Sequence, residues 1–237
     1  MGRGKRNVEE LPGDPGRLWL DYRHGHPAQL RAQDDALYEW TVSVAERKRR
    51  HKWAASSDTV PGPEIGSFTF VRLHDADPSV ALGAAESYGM ELANIFLPLV
   101  AWDSSIEEAL QGVVEKPSGD LLILFRASLD RSWRGFGLGP ILASEAIQAL
   151  AAGCCAVIVS PTMGEKPDDN ALVTPEYWAE ANAKIAAMWE GVGFRHHAGS
   201  SLYLLDPARP EQARIRARLR HDLAALTDAY RSAHRAE

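Results

Sequence analysis

The chain has 237 residues, 45% hydrophobic and 24% charged, so its composition excludes collagen, a coiled coil and a wholly disordered protein. Its 26 basic and 32 acidic residues give a net charge of −6, which provides no overall positive field for nucleic acid or anionic lipid. We therefore expect one substantial domain with extensions and no membrane partner, and the charge argues against a nucleic-acid partner.

Targeting signals are not evident in the sequence. Residues 1–15 carry charges of both signs and lack the apolar core of a secretory signal, and the longest apolar runs, such as residues 95–102, are shorter than the roughly 20 residues of a bilayer span. The two cysteines, Cys154 and Cys155, are neighbours and cannot form a framework of spaced disulfides. We therefore expect a cytoplasmic protein in which both thiols are core residues.

The first third of the chain is predicted to be a tail followed by strands. Residues 1–16 are rich in glycine, proline and charge, which predicts a loose tail. Alternating apolar and polar residues predict strands at 17–23, 37–45 and 67–73, the last two joined as a long-looped hairpin. The basic run at 46–52 is expected to be a solvated loop.

Helix signals follow this hairpin. Asp77 before Pro78 is typical of a helix start, and the apolar pattern predicts a helix extending towards Leu92, with a second helix after Ser104 and Ser105.

A strand–helix–strand unit comes next. Residues 121–125 and 156–159 are continuous apolar runs, as in buried parallel strands, and the helix between them places four residues on one stripe: Leu138, Leu142, Ala146 and Ala149. A helix from Thr174 to Gly193 and a strand at 201–205 are also predicted.

The C-terminal segment, residues 207–237, is predicted to be an amphipathic helix. Its apolar stripe is expected to pack on the domain or on a second copy of the chain, which makes it the candidate homodimer contact: Ile215, Leu219, Leu223, Leu226 and Tyr230.

A glycine-rich turn separates the first buried strand from its helix. Residues 134–139 read Arg-Gly-Phe-Gly-Leu-Gly, and their alternating glycines let a ligand approach the backbone closely at the start of a helix, where free N–H groups suit a phosphate. The spacing matches neither the dinucleotide-binding fingerprint nor the Walker loop. The alternative is a tight turn whose glycines serve packing alone.

A second landmark lies on the helix that ends at Gly193. Together with the glycine turn, it makes the chain resemble the GNAT family, the Gcn5-related N-acetyltransferases, over about residues 120–206. The family motif, Arg/Gln-x-x-Gly-x-Gly/Ala, is matched by Arg134, Gly137 and Gly139, and the later helix is matched by Asn182, Glu190, Gly193 and Phe194.

The resemblance implies a fold and a division of the chain. It implies an α/β protein with a mixed, twisted central sheet flanked by helices, in an acyltransferase-like domain at 17–206 with an N-terminal extension and a C-terminal helix. A β-hairpin ahead of two helices departs from the usual order of the family.

The resemblance also implies a reaction, transfer of the acetyl group of acetyl-CoA to an unidentified primary amine. Backbone amides of the turn would hold the pyrophosphate, and the end of the preceding strand would lie along the pantetheine arm. The implied cofactor-binding residues are Leu129, Arg134, Gly135, Phe136, Gly137, Leu138, Gly139 and Asn182.

Catalytic residues remain unassigned. Trp189 stands where many relatives carry the tyrosine that protonates the departing thiolate, and a tryptophan has no titratable proton. Tyr177 and Tyr203 are the nearest other phenols by element, and the candidate general bases are Asp103, Glu107, Asp120 and Asp130.

Other features have structural interpretations. His196 and His197 are neighbours that point to opposite faces of a strand, so we expect no metal site, and residues 214–220 are expected to be a solvated basic helix face. Two further functions stay open: a non-catalytic acyl-CoA sensor, and an interaction protein that retains the fold without binding CoA.

Overall fold

A computed structural model of the protein describes residues 6–25, 36–49, 59–74, 78–99, 110–161 and 174–235. Its strands are β1 (Leu18–His24), β2 (Leu37–Arg49), β3 (Thr59–Leu73), β4 (Asp120–Leu129), β5 (Cys154–Val159), β6 (Arg195–His196) and β7 (Tyr203–Leu205). Its helices are α1 (Pro78–Tyr88), α2 (Met90–Phe96), α3 (Leu138–Leu150), α4 (Pro175–Val192) and α5 (Pro210–Ala233).

The strands form one seven-stranded sheet in the order β1-β2-β3-β4-β5-β7-β6. Only β4 and β5 run parallel among the described strand pairs, and α3 connects them, as the apolar pattern predicts. The mixed α/β sheet flanked by helices is thus confirmed. None of the described helices combines the length and apolarity that crossing a membrane requires.

Alternation along the strands gives the sheet two apolar faces. On β4, Leu122 and Leu124 join a core that also contains residues of α3 and α4, whereas Leu121 and Ile123 join a core with α1 and α2. The two faces bury most of the large side chains, so the strands at the centre of the sheet are covered on both sides.

The β2–β3 hairpin is confirmed and is longer than predicted. It pairs Leu37 with Leu73 and continues to Arg49 opposite Thr59, so residues 46–49 of the basic run belong to a strand and not to a loop. Arg47 explains part of this extension, because its guanidinium lies 3.6 Å above the Trp19 ring. Cation–π contact holds the basic side chain on the sheet.

The helices differ from the predictions at two places. The helix that was expected to extend towards Leu92 ends at Tyr88, since Gly89 has a φ of 155° and separates α1 from α2. On α3, Ala149 was predicted to lie on the apolar stripe but is exposed. Ser144 and Ile147 are buried. Asp77, Ser104 and Ser105 lie outside the described residues.

The predicted loose tail packs against the domain over residues 6–16. Leu11 is only 3% exposed and joins the core on the α3 side of the sheet. Asp14 is buried as well, and its carboxylate accepts a hydrogen bond from the Gly16 N–H at 2.9 Å. A sequence of low apolar content is therefore held by a few specific contacts.

The apolar stripe of α5 is covered by the chain itself. Leu219 is buried, and Leu223, Leu226 and Tyr230 pack against the same core as α3. This part of the stripe therefore docks on the domain, as one of the two predicted arrangements has it, while Leu223, Leu226 and Tyr230 stay partly exposed.

Candidate functional site

The glycine turn is built between β4 and α3. A short 3-10 turn at Arg131–Trp133 follows β4, and α3 begins at Leu138. Gly135 (φ 92°) and Gly137 (φ 81°) adopt the left-handed conformation that side chains disfavour, so these two positions require glycine. The buried rings of Trp133 and Phe136 anchor the turn in the core.

Some backbone N–H groups along this turn have no acceptor in the part of the chain that the structure describes. No described residue accepts a hydrogen bond from the backbone N–H of Gly135, Phe136 or Gly137. The first N–H groups of a helix have no intrahelical acceptor, so those of Leu138 and Gly139 point out of the helix end. A Cβ built on Gly137 meets no atom within 4 Å, so this side of the turn is open to a ligand.

Arg134 and Leu129 lie together at the end of β4. The Arg134 Nε donates to the carbonyl oxygen of Leu129 at 2.5 Å, and a Cβ on Gly139 would lie 3.8 Å from the Leu129 Cδ1. The structure therefore brings together all the residues predicted from the turn motif. It turns Arg134 inward, where it ties the strand end to the turn.

Beside this turn, β4 extends beyond its pairing with β5, which ends at Val159. Their pairing ends at Leu124 opposite Val159, although β4 continues to Leu129 along β3. A bulge in β4 lies at the same place, because Leu124 pairs with Phe70 and Arg126 with Thr69, leaving Phe125 without a partner on β3. Bulges bend a strand. On the side that faces away from β3, the backbone of residues 125–129 is not paired with any described strand.

Asn182 lies on α4. Its Oδ1 atom is buried and has no hydrogen-bond partner among the described residues. An unsatisfied buried acceptor costs about 1–3 kcal/mol, so a ligand donor at this position would recover stability.

Comparisons with family models, with curated proteins and with solved structures gave no match. Any function assigned to the chain therefore rests on its own residues.

The tryptophan and tyrosines considered as acids have structural surroundings. Trp189 is 4% exposed and packs edge-on against Phe194, with ring centroids 5.6 Å apart. Tyr177 is exposed at the start of α4, and Tyr203 on β7 contacts the ring of His196. Trp189 is thus a core residue. Neither Tyr177 nor Tyr203 is brought to the glycine turn by a described contact.

The two described candidate bases lie at opposite ends of β4. Asp120 pairs with Arg72 at 2.6 Å and with His74 at 3.1 Å, which holds β4 to the end of β3. Asp130 opens the 3-10 turn and donates its N–H to the Ile65 carbonyl. Asp103 and Glu107 lie outside the described residues.

A cluster of ionisable groups lies near the bulge and was not predicted. The Tyr88 hydroxyl donates to the Glu39 carboxylate, and burial together with this hydrogen bond raises the pKa of Tyr88. Arg126 pairs with Glu91 at 3.1 Å, and the Tyr88 ring packs edge-on against Phe125. These residues come from separate elements, so no local sequence signal could have shown the cluster.

Neither of the two best-defined cavities formed by described residues adjoins the turn. One, of about 300 Å³, lies between α4 and the start of α5, lined by Phe194, Arg209 and Ile215 among others. The other, of about 190 Å³, lies between the end of α3 and α5.

The histidines and cysteines form no chemical site in the described part of the chain. The His196 Nε2 bonds the Ser200 carbonyl oxygen, and burial lowers the pKa of His197. Cys154 and Cys155 are buried on β5. No group of three metal-ligating side chains occurs among the described residues.

Proposed function

We propose that the protein is an acetyl-CoA-dependent N-acetyltransferase acting on a primary amine. The observation that carries the proposal is the turn at residues 134–139, where the backbone N–H groups of Gly135, Phe136 and Gly137 have no acceptor among the described residues, at the end of a strand that extends beyond its parallel neighbour. The resemblance of this turn and of the Asn182 helix to the GNAT family supports the same function.

The described residues fit an acyl-CoA by their chemistry. Backbone N–H groups of Gly135 to Gly139 would donate to pyrophosphate oxygens, assisted by the dipole of α3. The unpaired β4 edge would bond the amides of the pantetheine arm beside Leu129. The Asn182 Oδ1 is an acceptor for a ligand N–H or hydroxyl group.

The cofactor supplies a thioester whose carbonyl carbon an unprotonated amine can attack, with the C–S bond then breaking. The amine must first lose a proton, and the thiolate must gain one. Of the described acids and bases predicted from the sequence, Asp130 lies next to the turn, at the end of β4. The protein would further accelerate the reaction through binding and orientation of the two substrates.

A second candidate function is an acyl-CoA sensor without turnover. It is favoured by the burial of Trp189 in the core, which leaves the usual acid position without a titratable group. Both functions require the same cofactor site and differ only in thiol release.

Thermal unfolding with acetyl-CoA and with free CoA tests the shared site. Ligand at a hundred times its Kd adds about 2.7 kcal/mol, which for a chain of this size raises the midpoint by roughly 5–10 °C. No shift at millimolar ligand would overturn the proposal. A shift followed by thiol release in the presence of primary amines supports the enzyme, and a shift without release supports the sensor.

A further inference from the structure

The N-terminal segment brings a cation to the glycine turn. Arg6 Nη1 lies within hydrogen-bond distance of three carbonyl oxygens of the turn, those of Arg131 (3.1 Å), Ser132 (3.4 Å) and Arg134 (3.4 Å). These bonds cross about 125 positions of sequence. The guanidinium is thus placed at the turn by tertiary contacts.

The rest of the Arg6 side chain packs on the turn as well. A Cβ on Gly135 would lie 3.0 Å from the Arg6 Cδ and 3.1 Å from its Cγ, and the guanidinium carbon lies 5.6 Å from the centre of the Phe136 ring. Gly135 therefore leaves room for Arg6 on one side of the turn, while the Gly137 side stays open.

Arg6 differs from Arg134 in what it offers a ligand. The Arg134 Nε is bonded to the Leu129 carbonyl at the strand end. The Arg6 side chain is 39% exposed, and its Nε pairs with Glu10 at 3.2 Å. Because a guanidinium has five N–H donors, the contacts made by Nη1 and Nε leave donors for a further acceptor.

We propose that Arg6 binds a phosphate group of the CoA moiety beside the glycine turn. This inference rests on the proposed function. The positive charge beside the turn attracts a phosphate group, and charge-assisted hydrogen bonds to phosphate are among the stronger polar contacts in proteins. The N-terminal segment then completes the cofactor site, and it selects a phosphate-bearing acyl carrier.

Calorimetric titration of the full chain with CoA tests the assignment, with Arg6→Ala, Arg6→Lys and the matched control Arg17→Ala. Arg17 lies on the same segment and pairs with Asp14 at 3.6 Å, so it controls for a general change of this segment. We expect Arg6→Ala to weaken CoA binding about 10–100-fold, corresponding to a hydrogen bond to a charged group. Arg6→Lys should retain most of the affinity, and Arg17→Ala should change it less than twofold.

Two results would overturn the assignment. Unchanged affinity in Arg6→Ala shows that no phosphate contacts this residue. Equal losses in Arg6→Ala and Arg6→Lys show that Arg6 acts only as a scaffold for the turn carbonyls, because lysine keeps the charge but not the planar fork. Failure of the unaltered protein to bind CoA is a separate outcome, which removes the proposed function itself.

Discussion

Arg231 near the end of α5 pairs with Asp14 of the N-terminal segment, with 3.0 Å between Nε and Oδ2. The pair joins the two ends of the described chain on one side of the sheet. Asp14 also caps the 3-10 turn that precedes β1, so this buried carboxylate is one of the contacts that hold the segment to the domain. The others include Leu11 in the core and Arg6 at the glycine turn.

Asp14→Ala should destabilise the protein by about 1–3 kcal/mol, because it removes a turn cap and leaves the Gly16 N–H without its acceptor. At about 2–4 °C for each kcal/mol, the unfolding midpoint falls by several degrees. Asp228→Ala, an exposed position on α5, is the matched control and should change the midpoint little. Equal midpoints for the two variants would contradict this role.

The sequence predicts the strand–turn–helix around residues 120–150 well because its signals are local. Continuous apolar residues specify β4, and Gly137 at a left-handed φ specifies the start of α3. The prediction of a loose tail fails over residues 6–16 because the deciding contacts are distant in sequence. No local pattern could indicate that Leu11 joins the core or that Arg6 reaches Gly135.

In the candidate site too, local features follow from the sequence, whereas features that depend on distant residues do not. Leu129, implied by the resemblance, contacts Arg134 and lies near Gly139 of the turn. The bulge at Phe125 has no sequence signature, since it depends on the register of β4 against β3. Trp189 was considered for its place in a motif, but packing against Phe194 decides its role.

Gly139→Glu should weaken cofactor binding without destabilising the fold. The position is helical, and a Cβ there makes only ordinary contact with Leu129, at 3.8 Å. An acid in the first turn of a helix adds about 0.3–1 kcal/mol of stability, and replacing glycine adds to this. We expect an unchanged or higher unfolding midpoint, together with at least a tenfold loss of CoA affinity by repulsion of phosphate.

Gly139→Gln is the matched control for this variant, since it has a similar size without the charge. It should lose clearly less affinity for CoA than Gly139→Glu in the same titration. A CoA affinity in Gly139→Glu equal to that of the unaltered protein would show that the phosphates do not lie at this turn.

Asn182→Leu should weaken CoA binding without lowering the stability of the protein. The substitution removes a buried acceptor that has no partner, and an apolar side chain of similar size is neutral or stabilising there by up to about 1 kcal/mol. The CoA affinity should fall about 2–10-fold through loss of one hydrogen bond. Urea unfolding and CoA titration check the two parts, and a large loss of stability would show that Asn182 has a structural partner.

Trp189→Tyr and Trp189→Phe should behave alike. Both leave unfilled volume beside Phe194 and should lower the unfolding free energy by about 1–3 kcal/mol. If position 189 faced the thiolate, the tyrosine variant would release thiol from acetyl-CoA faster than the phenylalanine variant in the presence of an amine. Because the ring lies in the core, we expect equal rates of thiol release from the two variants.

We expect the unfolding free energy of the protein to depend on alkaline pH through Cys154. Burial raises the pKa of its thiol from 9.0 to about 11. At pH 8 the thiolate fraction in the folded protein is therefore about a thousandth, and iodoacetamide should modify this residue slowly until urea unfolds the chain. In the unfolded chain the thiol ionises near its ordinary pKa, at lower pH than in the folded protein.

The sign of the pH effect follows from this difference. A group with a raised folded pKa contributes stability that is fully present below its unfolded pKa and is lost as the pH rises towards the folded value. The unfolding free energy should thus decline between about pH 9 and pH 11. Tyr88, whose pKa is also raised, adds to the decline, so the contribution of Cys154 is the difference from Cys154→Ala. Identical pH profiles for the two proteins would show that folding does not raise the pKa of this thiol.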